Sequence, residues 1–271
     1  MHRFLLIFLL HLLTISHSAL SAESAKLTIA AAADLKYAMD EVVKTFKEQH
    51  PEAKVDLVTG SSGKFYEQIT HEAPFDIFFS ADIKFPEKLK EQGLTASEVR
   101  SYARGRVVLW SATMDAGKMT LQDLANPKIK QIAIANPRHA PYGQRAQEAL
   151  EHAGLWTKVQ SKLVFGENIA QTAQFAETGA VDVGLIALSL AESPSLKARG
   201  GYYLVPETLH APLDQAYVIL KRAEKNPLAG AFADFVASES ARSILRNYGF
   251  ALPGEALPDG AAKPKNTRPS R

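Results

Sequence analysis

The chain has 271 residues, and its 31 lysines and arginines nearly balance its 29 aspartates and glutamates, which, without any basic run, argues against a nucleic-acid partner. Hydrophobic residues make up 46% of the chain, which excludes whole-chain disorder and allows one large domain or two moderate ones. Cysteine is absent, so disulfides, thiolate metal sites, cysteine nucleophiles and a lipidated N-terminal cysteine are excluded.

The first 22 residues have the layout of a secretory signal peptide. A short basic start at Met1–Arg3 precedes an apolar run at Phe4–Leu13, and small and polar residues follow as far as Ala22. The apolar run is shorter than the roughly 20 residues that a membrane-spanning helix needs. We therefore expect residues 1–22 to be cleaved on export, which leaves a soluble protein in the periplasm because no cysteine is available for lipidation. An N-terminal membrane anchor is the alternative.

Strand and helix patterns alternate along the rest of the chain. The apolar run Lys26–Ala33 predicts a buried strand, and Asp34 can cap the next helix because its carboxylate accepts hydrogen bonds from free amides. Further strands are predicted at Val55–Val58, Phe75–Ser80, Val107–Ser111, Gln131–Ala135, Val183–Ile186 and Tyr217–Leu220. Helices are predicted at Leu35–Gln49, from the turn 60–63 to Thr70, and at Pro86–Gln92, Gly143–Ala153, Ile169–Thr178, Leu228–Ala237 and Glu239–Tyr248. This alternation indicates an α/β fold with mostly parallel sheets.

The composition changes at Glu255. From there the chain carries prolines and basic residues with almost nothing apolar. We expect residues 255–271 to form a disordered, solvated tail. A tail that touches anionic lipid or a partner protein is the alternative.

The sequence offers little support for enzyme chemistry. The segment Gly60–Lys64 lacks the Gly-x-Ser-x-Gly spacing of a nucleophile elbow and the terminal Gly-Lys-Ser/Thr of a phosphate-binding loop. The histidines beyond the signal peptide are scattered and form no metal-binding pair on a helix. We therefore expect no enzyme activity, no cofactor and no direct metal-ion ligands. A hydrolase that uses Ser61 or Ser62 is the alternative, although no partnered base is evident.

Four strand ends carry small or polar residues just before a helix begins. These segments are Ala30–Asp34, Gly60–Gly63, Asn136–Gly143 and Gly166–Ile169. A helix N-terminus presents unpaired N–H groups and about half a positive charge, and small residues let an anion approach them. Because ligands of open α/β sheets bind beyond the carboxyl ends of strands, four such ends at one crevice would form an oxyanion site without Lys or Arg. Taken singly, each segment also fits an ordinary capped turn.

Short motifs follow one another between residues 26 and 252. They are Ala31–Leu35, Gly60–Gly63, Ala73–Asp82, Leu109–Ala112, Ala135–Pro137, Ala140–Gly143, Glu167–Ile169 and Tyr248–Phe250. In order and spacing they resemble the periplasmic molybdate-binding proteins of ABC importers. The resemblance implies a two-lobed, type II periplasmic binding protein fold with mixed, mostly parallel sheets and two hinge crossings, near 107–110 and 216–219. Lobe 1 would comprise residues 26–106 and 216–252, lobe 2 would comprise residues 107–215, and the lobes would close on the ligand.

The same resemblance implies a function and a set of binding residues. The family captures molybdate, and we expect the similarly sized tungstate as well, for the permease subunits of an ABC importer. Its members hold the tetrahedral dianion with neutral hydroxyls and backbone amides. By position, Ser62 would supply a hydroxyl and an amide, whereas Tyr142 and Ile169 would supply backbone amides at helix starts. Ala33 and Asp34 occupy the first-strand site. We expect a monomer.

Asp34 departs from the family pattern, because many members carry a serine or threonine hydroxyl at the first-strand site. An ionised carboxylate that faces a dianion is repelled and desolvated at considerable cost. We favour a side chain that turns away to cap its helix, so that only backbone amides bind. The alternative is an Asp34 that is protonated, or that accepts a proton from the ligand, and thereby discriminates among oxyanions.

Other ligands and roles fit parts of the same pattern. A cradle of amides suits sulfate or phosphate as well as molybdate. Tyr202 and Tyr203 resemble the adjacent tyrosines that hold ferric iron in related binding proteins, although acidic and histidine ligands around them are not evident. In a pure interaction module, the ligand-type turns would be coincidental.

Overall fold

The computed structural model describes residues 26–255. The predicted signal peptide, and the predicted tail apart from Glu255, lie outside these residues. No helix between residues 26 and 255 combines the length and the apolar character needed to cross a membrane. Glu255 itself accepts hydrogen bonds from Arg242 and Arg246, so the described chain ends in contact with its last helix.

Residues 26–255 contain ten strands in two five-stranded sheets. The strands are β1 (Lys26–Ala32), β2 (Lys54–Gly60), β3 (Ile77–Ser80), β4 (Arg100–Gly105), β5 (Val107–Ser111), β6 (Ile132–Ala135), β7 (Leu163–Gly166), β8 (Val183–Ala187), β9 (Gly201–Leu204) and β10 (Leu213–Ile219). The helices are α1 (Lys36–Gln49), α2 (Ser62–Thr70), α3 (Lys84–Glu91), α4 (Pro141–His152), α5 (Trp156–Val159), α6 (Ile169–Glu177), α7 (Leu188–Ala191), α8 (Pro194–Arg199), α9 (Pro227–Val236) and α10 (Glu239–Asn247).

The two sheets have the same plan. The strand order is β2-β1-β3-β10-β4 in the first sheet and β7-β6-β8-β5-β9 in the second. In the first sheet β10 runs antiparallel to both neighbours, and in the second sheet β5 does so, while the other four strands of each sheet share one direction. The predicted two-lobed α/β fold with mixed, mostly parallel sheets is therefore confirmed.

The chain passes between the sheets twice. Arg106 separates β4 from β5, and residues 205–212 join β9 to β10. An ion pair between Arg106 and Glu207, with 3.4 Å between Nε and Oε1, links the two crossings. The expected boundary between residues 215 and 216 falls inside β10, because Leu213–Gln215 already pair with β4 in the first sheet.

The first sheet is buried on both faces, which explains why its inner strands are continuously apolar. Successive side chains of a strand point to opposite faces. In β1, Leu27 and Ile29 pack with α1, α9 and α10, whereas Ala30 packs on the other face with α2 and α3. In β3, Phe79 packs in the core that contains Leu27 and Ile29, and Phe78 packs in the core that contains Ala30.

The lobes touch each other. The second sheet has a core of its own around Trp110, and this core also includes Ala32, Ala33 and Ala81 from the strand ends of the first sheet. These small residues let the two lobes approach closely at the carboxyl ends of β1 and β3. The structure is thus a closed form, in which strand ends from both sheets meet.

Candidate functional site

A small cavity, partly open to solvent, lies where the strand ends meet. All five residues predicted for the site line it: Ala33, Asp34, Ser62, Tyr142 and Ile169. The rest of its wall is formed by small or apolar residues and one further hydroxyl: Ala32, Gly60, Ser61, Ala81, Ala140 and Pro141. No lysine, arginine or histidine is among these lining residues, so an anion here would depend on hydroxyls and backbone dipoles.

Ser62 presents a hydroxyl to the cavity from the first position of α2. Its side chain is 1% exposed, and its Oγ accepts a hydrogen bond of 3.0 Å from the backbone N–H of Ala81. Within residues 26–255 the Ser62 hydroxyl has no acceptor for its own proton. The N–H of Ala81 therefore fixes Oγ in place and leaves the hydroxyl proton free to donate to a ligand.

The start of α6 leaves one amide uncapped. The Asn168 side chain accepts hydrogen bonds from the N–H groups of Ala170 and Gln171, both at 3.0 Å. The N–H of Ile169, the first residue of the helix, lies outside this cap and has no acceptor within its own helix. Because Ile169 lines the cavity, its amide is suited to bind an anion.

The start of α4 is brought to the cavity by close packing against β6. A Cβ on Gly143 would lie 2.1 Å from the carbonyl oxygen of Ala135, so only glycine permits this approach. Pro141, the first residue of α4, has no N–H, and Ala140 before it offers no side-chain cap. The N–H of Tyr142 is therefore the first amide that this helix can present.

Asp34 does not cap α1, and the favoured prediction for its side chain is wrong. Residues Ala33–Leu35 form a single 3-10 turn, and α1 begins at Lys36 without a side-chain cap. The carboxyl group is 1% exposed. Its Oδ2 accepts hydrogen bonds from the hydroxyl of Tyr142 at 3.0 Å and from Nε2 of Gln215 at 2.7 Å. The donors to the buried carboxyl group therefore come from the opposite lobe and from β10, and not from the first turn of α1.

The environment of Asp34 disfavours ionisation. Burial raises the pKa of Asp34 from 3.8 to about 6, although Gln215, Tyr142 and, more weakly, the backbone N–H groups of Asp34 and Leu35 oppose this shift. Its other oxygen, Oδ1, is buried and has no hydrogen-bond partner in the described part of the chain. Burial also raises the pKa values of the Tyr142 and Tyr102 phenols well above their ordinary range. Both phenols are therefore neutral donors at physiological pH.

Polar contacts hold the lobes together beside the cavity. On one side, Lys64 of α2 pairs with Glu167, which precedes α6. On the other, Nη2 of Arg145 on α4 lies 3.2 Å from Oδ2 of Asp82, and Nζ of Lys84 donates to the Gln144 side chain at 2.8 Å. These contacts join the lobes without lining the cavity, so they stabilise the closed form.

One arrangement resembles part of a hydrolase site. Oγ of Ser61 lies 2.9 Å from Nδ1 of His139, a pair that the sequence did not reveal. The Ser61 hydroxyl donates its proton to the His139 carbonyl oxygen at 2.6 Å, so the imidazole is not placed to remove it. Glu167, with Oε2 3.9 Å from Nε2 of His139, is too distant for a hydrogen bond and pairs with Lys64. The geometry fits a bridge between the lobes better than an activated nucleophile.

The tyrosine pair considered for ferric iron lies elsewhere. Tyr202 and Tyr203 belong to β9, at the edge of the second sheet, and neither lines the cavity. The Tyr202 hydroxyl donates to Glu192 at 2.7 Å. No group of three or more His, Cys, Asp or Glu residues suited to a metal ion occurs between residues 26 and 255.

Sequence reasoning missed Gln215 and Ala81. Gln215 is fully buried in the apolar strand β10, and its Nε2 also lies 3.3 Å from the Tyr142 hydroxyl. A glutamine next to the buried apolar part of a strand was the available signal, because a buried amide needs hydrogen-bond partners. Ala81 acts through its backbone N–H, for which the sequence carries no signal.

Comparison with known proteins gives the family. Residues 27–251 match the family model of the bacterial extracellular solute-binding proteins. The molybdate-binding protein ModA of Azotobacter vinelandii is 37% identical over 86% of this chain and 93% of that protein, and ModA of Rhodobacter capsulatus is 36% identical over 86% and 90%. The solved structure of the Azotobacter vinelandii periplasmic molybdate-binding protein matches with a TM-score of 0.79 and 32% identity, over 84% of this chain and 99% of that one. These matches confirm the resemblance drawn from the short motifs. The chain belongs to the bacterial extracellular solute-binding proteins.

Proposed function

We propose that this protein captures molybdate, and also tungstate, in the periplasm and delivers it to the permease subunits of an ABC importer. The observation that carries the proposal is the cavity itself, which is enclosed by two lobes and lined by a free hydroxyl and helix-start amides with no basic side chain. The relatives named molybdate-binding protein, at 36% and 37% identity over most of their length, support the choice of ligand.

Neutral donors suit a tetrahedral dianion in such an enclosure. The starts of α2, α4 and α6 converge on the cavity, and the first amide of each, at Ser62, Tyr142 and Ile169, has no acceptor within its own helix and carries partial positive charge. Closure of the lobes removes water, which strengthens each of these interactions. Because the donors are fixed by helix starts and small side chains, they distinguish anions by size, and the longer Mo–O bonds of molybdate set it apart from sulfate.

The proposal includes a monomeric protein that needs no cofactor, has no enzyme activity and binds no nucleic acid. The site needs neither a metal ion nor a cofactor to hold an anion, because hydroxyl and amide donors are already present. Light scattering of the purified protein measures the oligomeric state, and a constant monomer mass with and without molybdate is expected.

A ligand panel tests the choice of anion. Thermal unfolding of the purified protein is measured with molybdate, tungstate, sulfate, phosphate or ferric citrate, and binding is then quantified by calorimetry. A ligand present at about 100 times its Kd stabilises the protein by about 2.7 kcal/mol. Molybdate and tungstate at micromolar concentration should raise the melting temperature, and the other three should not. Stabilisation by sulfate, phosphate or ferric iron alone would contradict the proposal.

A further inference from the structure

We infer that Asp34 binds the oxyanion as a neutral acid, so that capture of one dianion takes up one proton from water. This inference rests on the proposed function and deepens it, because it makes Asp34 a residue that selects ligands. A neutral carboxyl group donates its proton to any tetrahedral dianion. An ionised carboxylate can only accept, and would favour an anion that carries its own proton, such as hydrogen phosphate.

The hydrogen bonds around Asp34 indicate where the proton would reside. Oδ2 accepts from two neutral donors, the Tyr142 hydroxyl and the Gln215 amide, at 3.0 and 2.7 Å. It therefore acts as an acceptor and has no need of a proton. Oδ1 is buried without a partner among residues 26–255, and Asp34 lines the cavity. A proton on Oδ1 would supply a hydrogen bond to the anion and satisfy an otherwise orphaned polar atom.

The elements packed around Asp34 bring no positive charge to its carboxyl group. β4 contributes the Tyr102 phenol, which donates to Oε1 of Gln215, and α7 contributes Ser189, which donates to the backbone carbonyl of Asp34 at 2.7 Å. Charged side chains on the neighbouring elements are engaged elsewhere: Arg145 with Asp82, Asp214 with Arg104, Glu177 with Arg199, Lys26 with Asp56, and Lys36 over the Tyr37 ring. The carboxylate therefore has no cation to offset its burial.

Closure of the lobes and binding of the dianion both raise the pKa of Asp34. Tyr142 belongs to the second lobe, so opening the lobes separates it from Asp34 and gives the carboxyl group access to water, where it ionises at neutral pH. Closure buries the group, and burial, only partly offset by hydrogen bonds, raises its pKa to about 6. A dianion in the same cavity raises the pKa further by like-charge repulsion. The closed, loaded protein therefore binds a proton that the open protein does not hold.

Calorimetry in buffers of different ionisation enthalpy counts this proton. Molybdate is titrated into the purified protein from about pH 6 to about pH 9, and at each pH the dependence of the binding enthalpy on the buffer gives the number of protons taken up. We expect uptake to approach one proton per molybdate at neutral pH, and affinity to fall by up to about tenfold per pH unit. Asp34→Asn, which keeps the size of the side chain and supplies a neutral donor, should bind with no uptake and with an affinity independent of pH.

A matched control addresses the other titrating group near the cleft. His139 lies beside Ser61, and burial lowers the pKa of its imidazole, with the charges of Glu167 and Lys64 acting in opposite directions. His139→Gln should keep the full proton uptake. Uptake that persists in Asp34→Asn would overturn the inference, as would tight binding by the wild-type protein with no uptake at any pH. The wild-type count decides the matter even if the variant does not fold. Absence of molybdate binding would instead refute the proposed function.

Discussion

Replacing Ser62 with alanine removes the hydroxyl that α2 presents to the cavity. The structure shows one hydrogen bond at this group and leaves its proton available for a second. Its oxygen accepts from the Ala81 N–H at 3.0 Å, and its proton has no acceptor among residues 26–255 and faces the ligand cavity. Ser62→Ala therefore removes one donor to the anion and leaves one buried backbone donor without a partner.

The two losses affect different measurements. A hydrogen bond to a charged group contributes about 1.5–3 kcal/mol, so the Kd for molybdate should rise about 10-fold to about 150-fold. The unpaired N–H of Ala81 should lower the free energy of unfolding of the ligand-free protein by about 1–3 kcal/mol. Calorimetric titration with molybdate measures the first effect, and chemical denaturation without ligand measures the second.

Ser111→Ala is the matched control. Ser111 is also fully buried, and its hydroxyl donates to the carbonyl oxygen of Asp182 at 2.7 Å. It lies at the end of the second sheet away from the cavity, because the end of β5 pairs with the start of β8. This variant should be destabilised and yet bind molybdate with the wild-type Kd. A Ser62→Ala variant that keeps the wild-type Kd would remove the Ser62 hydroxyl from the site.

Three further substitutions, and Gly230→Ala as a control, test other parts of the structure. Gly143→Ala would place a Cβ 2.1 Å from a carbonyl oxygen of β6, so the start of α4 must shift, and the Kd for molybdate should rise about tenfold or more by calorimetry. Gly230→Ala in α9, where nothing beyond the neighbouring residues of its own helix lies within 4 Å of the new Cβ, should instead raise the free energy of unfolding by about 0.5–1 kcal/mol. Arg145→Met removes the partner of Asp82 across the cleft, and molybdate release should become faster in stopped-flow measurements because the closed form is weakened. Asp34→Asn removes a carboxyl group whose pKa is about 6 in the folded protein against an ordinary value of 3.8. Because the closed folded state binds this proton more tightly than the unfolded chain does, the stability of the molybdate-bound wild-type protein should fall by about 3 kcal/mol as the pH rises from about 4 to about 6, and denaturation of the molybdate-bound variant should lack this decrease.

Each of these predictions has a contrary outcome. Wild-type affinity in Gly143→Ala would show that the start of α4 does not set the geometry of the site. An unchanged release rate in Arg145→Met would show that the ion pair with Asp82 does not hold the lobes closed. Parallel pH profiles of stability for the wild-type protein and Asp34→Asn would contradict the raised pKa of this carboxyl group.

The inner strands of both sheets could be predicted from the sequence, whereas three edge strands could not. β1, β3, β5, β6, β8 and β10 are buried and apolar, so their composition identifies them. β4, β7 and β9 lie at sheet edges, and each is short or partly exposed. β4 also carries Arg100 and Arg104. These segments are stabilised by pairing with a neighbouring strand. The sequence of a short segment does not show which strand it will pair with.

Long-range contacts also limited what could be predicted of the candidate site. The segments that contain Ser62, Tyr142 and Ile169 could be placed because small residues before a helix start are visible in a short window of sequence, and the family resemblance then assigned the individual residues. The partners of Asp34 could not, since Tyr142 and Gln215 are 108 and 181 positions away along the chain. Local propensity favours an Asp cap on the next helix. Burial of the carboxyl group between the lobes overrides that propensity, because the buried oxygen needs donors that only the closed fold supplies.

Diffraction at the molybdenum absorption edge, from crystals of the protein grown with molybdate, locates the anion directly. A single anomalous peak should lie in the cavity between the lobes, with molybdate oxygens about 2.7–3.2 Å from Oγ of Ser62 and from the backbone nitrogens of Tyr142 and Ile169. A peak outside this cavity, or an anion held by lysine or arginine side chains instead of these neutral donors, would contradict the proposed site.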